Sequence, residues 1–151
     1  MGEVAPYIAS PMDIVRGMLR VSDVKPSDVV YDLGSGDGRI VIAAVQQFKA
    51  KRAVGVELNE RLVKQSREEV SRLKLEDKVE IVHEDFFNVS VEPADVVTLY
   101  LTISGNERLR PKLERELKPG TRVVSRAFRI RGWIPVKTEQ VEHTTVYLYQ
   151  R

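Results

Sequence analysis

The chain has 151 residues, 42% of them hydrophobic and 30% charged, which is the composition of one ordinary globular domain with a buried core. It contains no cysteine, which excludes disulfides and thiolate metal sites, and we predict no metal site. No apolar run approaches the roughly 18 to 20 residues that span a bilayer, and no basic, apolar leader opens the chain. We therefore expect a cytoplasmic protein, and the net charge of only +2 does not select a partner.

The first half of the chain alternates helical and extended segments. Ser10 precedes Pro11 and lies three residues before Asp13, which predicts a capping box at the start of a helix. The hydrophobic pattern then predicts four further elements. In chain order these are a strand at 28–33, a helix at 39–48, a strand at 53–58 and a helix from an Asn59 cap to about residue 73.

The second half continues the alternation and ends differently. We predict strands at 78–82, 94–101 and 121–128, followed by two alternating segments at 136–141 and 144–150. Only Glu142-His143 separates the last two segments, which predicts an antiparallel hairpin.

The segment between the fourth and fifth strands is predicted to be helical. Ser104 and Glu107 have the spacing of a capping box. Pro111 predicts that a new helix begins there rather than one helix continuing, and Pro119-Gly120 ends it. Since strands that alternate with helices imply right-handed crossovers, the sequence predicts an α/β fold. We expect a Rossmann-like seven-stranded, mostly parallel sheet with a C-terminal antiparallel hairpin and helices on both faces.

A glycine-rich turn follows the first predicted strand directly. Gly34 and Gly36 permit a tight turn and let a ligand approach the backbone without a Cβ in the way, and Gly38 lets the next helix begin close to the sheet. A P-loop would need Lys followed by Ser or Thr after the last glycine, where this chain has Arg39-Ile40. A dinucleotide site would need G-x-G-x-x-G, where this chain has G-x-G-x-G.

Carboxylates after three neighbouring strands complete the pattern. Glu57 ends the second strand and can accept hydrogen bonds from both hydroxyls of a ribose. Asp85, after the third strand, can reach an adenine amino group, with Phe86 beside it to cover the ring. The turn itself contains Asp32 and Asp37, which suit a cationic cofactor better than a pyrophosphate. Together these residues predict an adenosine compound, and the acidic turn indicates S-adenosylmethionine.

These residues carry a family resemblance. The runs Asp-Leu-Gly-Ser-Gly-Asp-Gly-Arg, Val-Gly-Val-Glu-Leu-Asn and His-Glu-Asp-Phe-Phe are similar to the successive motifs of class I, seven-strand methyltransferases. The whole chain resembles the small archaeal protein lysine methyltransferases and their relatives that methylate the ATP synthase c-subunit and the adenine nucleotide translocase. Pro6-Tyr7, Ser10-Pro11 and residues 117–125 carry this narrower resemblance.

The resemblance implies the cofactor, the site and the activity. The residues implied to hold S-adenosylmethionine are Asp32, Gly34, Gly36, Glu57, Asp85 and Phe86, and we add their neighbours Ser35, Gly38 and Leu58. It also implies that the segment around Tyr7 folds over the methyl-transfer site. We therefore expect one domain over residues 1–151, with residues 1–20 forming an N-terminal segment and helix over the active site.

The expected reaction transfers a methyl group to the side-chain amine of lysine in proteins. We expect the acceptor to be lined by Tyr7, Tyr100, Thr102, Asn106 and Trp133. A lysine must be neutral to attack, and an aromatic, partly apolar slot favours the neutral amine without a dedicated base. An aromatic ring there would also attract a methylated ammonium product.

Alternative functions remain open at this point. An RNA methyltransferase is one alternative, because residues 108–131 are rich in Lys and Arg, although the Pro-Pro-aromatic signature of amino-group nucleic-acid enzymes is absent after the fourth strand. A small-molecule methyltransferase is another, although the chain has almost no insertions from which to build a lid. A cofactor-binding protein without turnover is a third. For the lysine enzyme we expect protein substrates, and nucleic-acid-associated proteins through the basic region 108–131.

Overall fold

The structure is a computed structural model that describes residues 9–151, so the prediction for Tyr7 lies outside the described residues. Its elements alternate along the chain. They are α1 (Met12–Val21), β1 (Val29–Leu33), α2 (Arg39–Gln46), β2 (Arg52–Glu57), α3 (Glu60–Arg72), β3 (Val79–His83), a 3₁₀ helix (Phe86–Asn88), β4 (Val96–Leu99), α4 (Ile103–Glu116), β5 (Arg122–Arg126), β6 (Lys137–Val141) and β7 (Thr144–Gln150).

All seven strands form one mixed sheet in the order β3-β2-β1-β4-β5-β7-β6. The first five strands are parallel, whereas β7 pairs antiparallel with both β5 and β6. The predicted fold class and the terminal hairpin are confirmed. Leu33 of β1 pairs with Val56 of β2 and with Leu99 of β4, so these strands end together. We call this side of the sheet the carboxyl edge.

Helices cover both faces of the sheet, as predicted. Apolar side chains of α1, α2 and α3 form one buried cluster with Val30 of β1. On the opposite face, Leu109 and Leu113 of α4 pack with Tyr31 of the same strand. Because successive side chains of a strand point to opposite faces, each central strand contributes to both layers. None of the helices in residues 9–151 is long and apolar enough to span a membrane.

The first helix packs closely on the C-terminal hairpin. Ile14, Met18 and Val21 form a buried cluster with residues of β5, β6 and β7. Gly17 faces β6, where a Cβ would collide with Val141. The absence of a side chain at Gly17 therefore lets α1 lie close to β6.

The capping box predicted at the start of α1 is wrong. The helix follows Pro11, which offers no side-chain cap, and within residues 9–151 no other side chain takes that place. Ser10 Oγ instead accepts a hydrogen bond of 2.7 Å from Arg126 Nη1, and Asp13 pairs with Arg16 at 2.8 Å. Since Ser10 is buried, its hydroxyl satisfies a buried donor at the end of β5 rather than the start of the helix.

The prediction that a new helix begins at Pro111 is also wrong. α4 runs from Ile103 to Glu116 with Pro111 inside it. Leu109 and Leu113 lie one turn apart on the same side of the helix, and both are fully buried. Burial of a leucine stabilises by about 1.5 to 3 kcal/mol, so the pair offsets the cost of about 3 kcal/mol for proline inside a helix.

The cap of α4 is Thr102 rather than Ser104. Thr102 Oγ1 accepts a hydrogen bond of 3.0 Å from the N–H of Gly105, and Ser104 Oγ lies 3.1 Å from Thr102 Oγ1. The capping box predicted at Ser104 is wrong because the helix begins one residue before it. By contrast, the cap predicted for α3 is confirmed, since the side chain of Asn59 accepts from the N–H of Leu62.

Candidate cofactor and acceptor site

The glycine turn of residues 34–38 joins β1 to α2 at the carboxyl edge. Gly36 and Gly38 have φ angles of +58° and +86°, in the left-handed region that disfavours other residues. A Cβ at Gly38 would lie 3.1 Å from Ser66 Cβ. Gly38 was predicted to let α2 begin close to the sheet. In the structure, the missing side chain at Gly38 lets the start of α2 approach α3.

The turn is also fixed to the neighbouring strand. The N–H groups of Gly34 and Ser35 both donate to the carbonyl of Val56 at 2.9 Å. Ser35 is buried, and a Cβ at Gly55 would lie 2.7 Å from its hydroxyl oxygen. Sequence reasoning missed Gly55, whose signal is a glycine inside an apolar strand. Gly55 makes room for Ser35, so the side chain of Ser35 faces the sheet.

Asp32 lies on β1 directly below the turn and is almost completely buried. Its Oδ1 accepts a hydrogen bond of 2.7 Å from Thr98 Oγ1 of β4. Burial raises the pKa of Asp32 from its ordinary 3.8 to about 7; the Thr98 hydrogen bond lowers it, and the charges of Glu57 and Asp37 raise it further. A cation bound beside Asp32 would favour its ionised form. This carboxyl is therefore suited to an ammonium or sulfonium group.

Asp37, the second acid of the turn, already has a cationic partner. Arg39 Nε donates to Oδ1 at 3.0 Å, and Arg39 Nη2 donates to Oδ2 at 2.6 Å. Burial raises the pKa of Asp37, but the hydrogen bonds and charge of Arg39 lower it more, so that it lies below its ordinary value. Arg39 Nη1 also donates to the carbonyl of Ser10 at 2.9 Å. The turn thereby contacts the start of the described chain.

Glu57 ends β2 and reaches the glycine turn. Its Oε1 accepts from the N–H of Gly36 at 2.7 Å, and its Oε2 accepts from the N–H of Asn59 at 2.9 Å. Each carboxylate oxygen has a further lone pair that can accept from a hydroxyl, so the geometry fits the two hydroxyls of a ribose. Leu58, the next residue, is 46% exposed and offers apolar surface at the same place.

Asp85 and Phe86 follow β3, which pairs with β2 up to Glu57 and His83. Asp85 Oδ1 accepts from the N–H of Phe87 at 3.0 Å and thereby caps the 3₁₀ helix. The rings of Phe86 and Phe87 are 5.0 Å apart. The register thus brings the carboxylates predicted for the ribose and the adenine to adjacent positions of the carboxyl edge.

Tyr100 and Thr102 lie between β4 and α4, beside the glycine turn. The ring of Tyr100 is half-buried and stacks on Phe128 with 6.4 Å between centroids. The guanidinium carbon of Arg126 lies 4.1 Å from the centre of the Tyr100 ring. The Arg126 guanidinium therefore occupies one face of the Tyr100 ring. The predicted attraction of a methylated ammonium product is limited to the opposite face of that ring.

Asn106, on α4, is hydrogen-bonded to the segment that follows β5. Its side chain is fully buried, and Nδ2 donates to the carbonyls of Phe128 and Arg129, both at 3.1 Å. Since α4 carries Asn106, these bonds hold the segment after β5 against that helix. The contacts assign Asn106 a positioning role within the described structure.

The structure does not bring Trp133 to this group. Its Nε1 donates to Glu114 Oε2 at 2.9 Å, near the end of α4, and its ring packs edge-on against Tyr149. Tyr149 pairs with Val123, close to the amino end of β5. Trp133 therefore lies towards the opposite edge of the sheet, because the segment after β5 turns back along α4.

Sequence reasoning also missed Arg126, the last residue of β5. Only 6% of its surface is exposed, although arginine carries a permanent charge. The available signal was an arginine inside the apolar segment 121–128, at the point where the strand reaches the carboxyl edge.

In residues 9–151, no group of three or more His, Asp or Glu side chains could hold a metal ion.

Fold and site together define a class I methyltransferase: an acidic glycine turn after β1, a carboxylate at the end of β2 and a carboxylate after β3. The family model described as the ANTKMT methyltransferase domain matches residues 32–137. The chain belongs to this family and is an S-adenosylmethionine-dependent methyltransferase.

Individual relatives agree with this assignment. The chain is 47% identical to a protein-lysine N-methyltransferase of Saccharolobus islandicus, over 95% of this chain and 92% of the relative. It is 37% identical to the mouse adenine nucleotide translocase lysine N-methyltransferase, over 87% of this chain but only 56% of that longer protein. Its fold matches an RNA methyltransferase from Salinibacter ruber in complex with S-adenosyl-L-homocysteine, with a TM-score of 0.91, 44% identity, and coverage of 95% and 93% of the two chains.

Proposed function

We propose that this enzyme transfers the methyl group of S-adenosylmethionine to the side-chain amine of lysine residues in proteins. The observation that carries the proposal is the extent of the match to the Saccharolobus islandicus enzyme, which includes nearly all of both chains. The matched length contains the segments after β4 and β5 as well as the cofactor motifs. The similarity therefore includes the segments after β4 and β5, where we expect the methyl acceptor to bind, as well as the cofactor site. This extent supports the lysine assignment.

Residues that follow one another along the carboxyl edge fit successive parts of the cofactor, from its cationic end through the ribose to the adenine. The bound cofactor supplies a methyl group on a positively charged sulfur. Asp32 would face the cationic end, Glu57 would accept the ribose hydroxyls, and Asp85 would accept from the adenine amino group, with Phe86 and Leu58 covering the ring. Gly34, Gly36 and Gly38 would admit the ligand to the backbone, and Ser35 would keep the turn in place from the side of the sheet.

The acceptor amine would enter beside Tyr100 and Thr102. Transfer from a sulfonium is an in-line displacement, so the protein mainly aligns the amine, the methyl carbon and the sulfur. The stacked rings of Tyr100 and Phe128 form an apolar wall that favours a neutral amine. His83 lies near Leu58, on the adenine side, with its Nε2 3.1 Å from the Leu58 carbonyl. No dedicated base is then required, because water can take up the proton that the lysine ammonium loses before it attacks.

The N-terminal part of the chain would complete the acceptor side. Ser10 contacts Arg126 and Arg39, which places the start of the described chain between β5 and the glycine turn. Of the predicted N-terminal segment 1–20, α1 packs on the sheet and its C-terminal hairpin. We infer that the part before α1 closes over the site from this point, with Tyr7 among the lining residues, and that residues 1–151 form one domain. A cytoplasmic location also stays a prediction, and cell fractionation tests it.

The basic region 108–131 would guide substrates to the carboxyl edge. Arg110 Nη1 donates to the carbonyl of Arg131 at 2.9 Å, and the guanidinium of Arg129 lies 5.2 Å from the centre of the Tyr147 ring. Within residues 9–151 these three arginines form no salt bridge, so their charges are available to a partner. Proteins with acidic surfaces, including those associated with nucleic acids, would be attracted, and methylation should weaken with rising salt.

The RNA methyltransferase from Salinibacter ruber makes RNA the alternative that the experiment must separate. We would incubate the full chain with methyl-labelled cofactor and a cell extract, and divide the product between nuclease and protease digestion. The proposal predicts label that resists nuclease and is recovered as methyl-lysine after hydrolysis. Nuclease-sensitive label would overturn it. Gly36→Val serves as the variant that cannot admit the cofactor, and Glu80→Gln, at an exposed position of β3, as the matched control that retains activity.

A further inference from the structure

The two ends of β5 each carry an arginine, and their surroundings differ. Arg122, at the amino end, forms a salt bridge of 2.8 Å with Asp28 and donates to the carbonyls of Ser22 and Asp23. Arg126, at the carboxyl end, is only 6% exposed and forms no salt bridge within the described residues. A buried charge without a counter-ion costs several kcal/mol, so the structure bears this cost at one end of β5 only.

The hydrogen-bond donors of Arg126 are incompletely used. Nη1 donates to Ser10 Oγ at 2.7 Å, and the guanidinium lies over the Tyr100 ring. Nε is buried and has no hydrogen-bond partner in the described part of the chain. A guanidinium presents its N–H groups in a planar fork that matches a carboxylate. The unpartnered Nε of Arg126 therefore fits an anionic acceptor with planar oxygens, such as a carboxylate.

The register places Arg126 beside the cofactor. Leu33 pairs with Leu99, and Leu99 pairs with Ser125, so Gly34, Tyr100 and Arg126 form one row across the carboxyl edge. Neighbouring strands are about 4.8 Å apart, which puts the backbone of Arg126 about 10 Å from the glycine turn. Ser10 links the two places, because its hydroxyl accepts from Arg126 and its carbonyl accepts from Arg39, which follows the glycine turn.

The geometry points to Arg126 as the residue that binds the α-carboxylate at the amino-acid end of the cofactor. The amino-acid end carries an ammonium and a carboxylate, and the site offers one complementary group for each. Asp32 is buried below the turn and forms no salt bridge in residues 9–151. Asp32 would pair with the ammonium, and Arg126 would gain the counter-ion that it lacks. The inference rests on the proposed binding position of the cofactor, but not on the identity of the methyl acceptor.

Two ligands that differ only in this carboxylate test the inference. S-adenosylmethionine and decarboxylated S-adenosylmethionine would be titrated calorimetrically into the full wild-type chain, Arg126→Met and Arg126→Lys. We expect the wild type to prefer the carboxylate-bearing ligand by about 10- to 100-fold, as for a charge-assisted hydrogen bond. In Arg126→Met this preference should largely disappear, through weaker binding of S-adenosylmethionine alone. Arg126→Lys, which keeps the charge and is the more conservative change to the fold, should retain part of it.

Three results would overturn the inference. The first is a wild type without preference between the two ligands, which needs no variant to be measured. The second is an Arg126→Met protein that binds both ligands more weakly by the same factor, which would assign Arg126 a purely structural role through Ser10 and Tyr100. The third is a variant with an unchanged preference. Failure of the wild type to bind either ligand would instead contradict the binding position of the cofactor, and nuclease-sensitive methylation would contradict only the proposed acceptor.

Discussion

Replacement of Asp32 by asparagine should make the ligand-free enzyme more stable at neutral and alkaline pH. Asparagine keeps the shape of the side chain and an oxygen that can accept the Thr98 hydrogen bond, while it removes the ionisable group. Burial raises the pKa of Asp32 to about 7. The folded protein therefore binds a proton that the unfolded chain releases between pH 4 and pH 7. The free energy of unfolding must fall as the pH rises through this window.

The pKa of Asp32 also gives the size of the effect. One pKa unit corresponds to about 1.4 kcal/mol, so the interval between 3.8 and about 7 corresponds to about 4 kcal/mol of lost stability at pH 8. Asp32→Asn should be close to the wild type at pH 4 and up to about 4 kcal/mol more stable at pH 8. The same substitution should weaken cofactor binding, because it removes the negative charge that would face the cationic end.

Denaturant unfolding of the ligand-free chain at pH 5, 6, 7 and 8 measures this dependence. Asp37→Asn is the matched control from the same turn: its pKa lies below the ordinary value because of Arg39, so its contribution should not change between pH 5 and pH 8. A stability difference between the wild type and Asp32→Asn that is the same at all four pH values would refute the reasoning. It would mean that the carboxyl of Asp32 is already ionised, or already protonated, throughout this range.

Three further substitutions test other parts of the structure. Glu57→Ala should leave the chain folded by circular dichroism but remove most of its affinity for S-adenosylhomocysteine, and unchanged calorimetric affinity would contradict the role of Glu57 at the ribose. Pro111→Ala should raise the free energy of unfolding by about 1 to 3 kcal/mol by restoring an N–H inside α4, and equal or lower stability in urea would argue against the continuous helix. Gly17→Ala should lower stability by about 1 to 3 kcal/mol through collision with Val141, and Val141→Ala in the same chain should recover part of the loss.

Local sequence patterns predicted most of the fold. Short β-branched runs that alternate with helical segments were enough to define the order of strands along the chain and the terminal hairpin. The errors occurred where a tertiary contact outweighed a local signal. Ser10 has the sequence context of a cap, but its hydroxyl is used by Arg126, which is 116 residues away. Pro111 is a helix breaker, but Leu109 and Leu113 hold the helix together across it.

The candidate site divides in the same way. Asp32, Glu57 and Asp85 follow or end consecutive strands, and parallel strands bring such positions to one edge without further information. The acceptor side depends instead on the path of the loop after β5, which the sequence does not reveal. That loop carries Trp133 back towards the other edge, and β5 leaves Arg126 buried beside Tyr100. Sequence patterns therefore bring the predicted cofactor residues to one edge of the sheet, whereas the positions of Trp133 and Arg126 depend on tertiary contacts that the sequence does not show.

A crystal structure of the full chain with S-adenosyl-L-homocysteine tests the central claim most directly. We predict that both ribose hydroxyls lie within hydrogen-bond distance of the Glu57 carboxylate and that the amino-acid end lies over the glycine turn. Density for the ligand at any other position, with the carboxyl edge of β1 and β2 free of it, would contradict the account of the site.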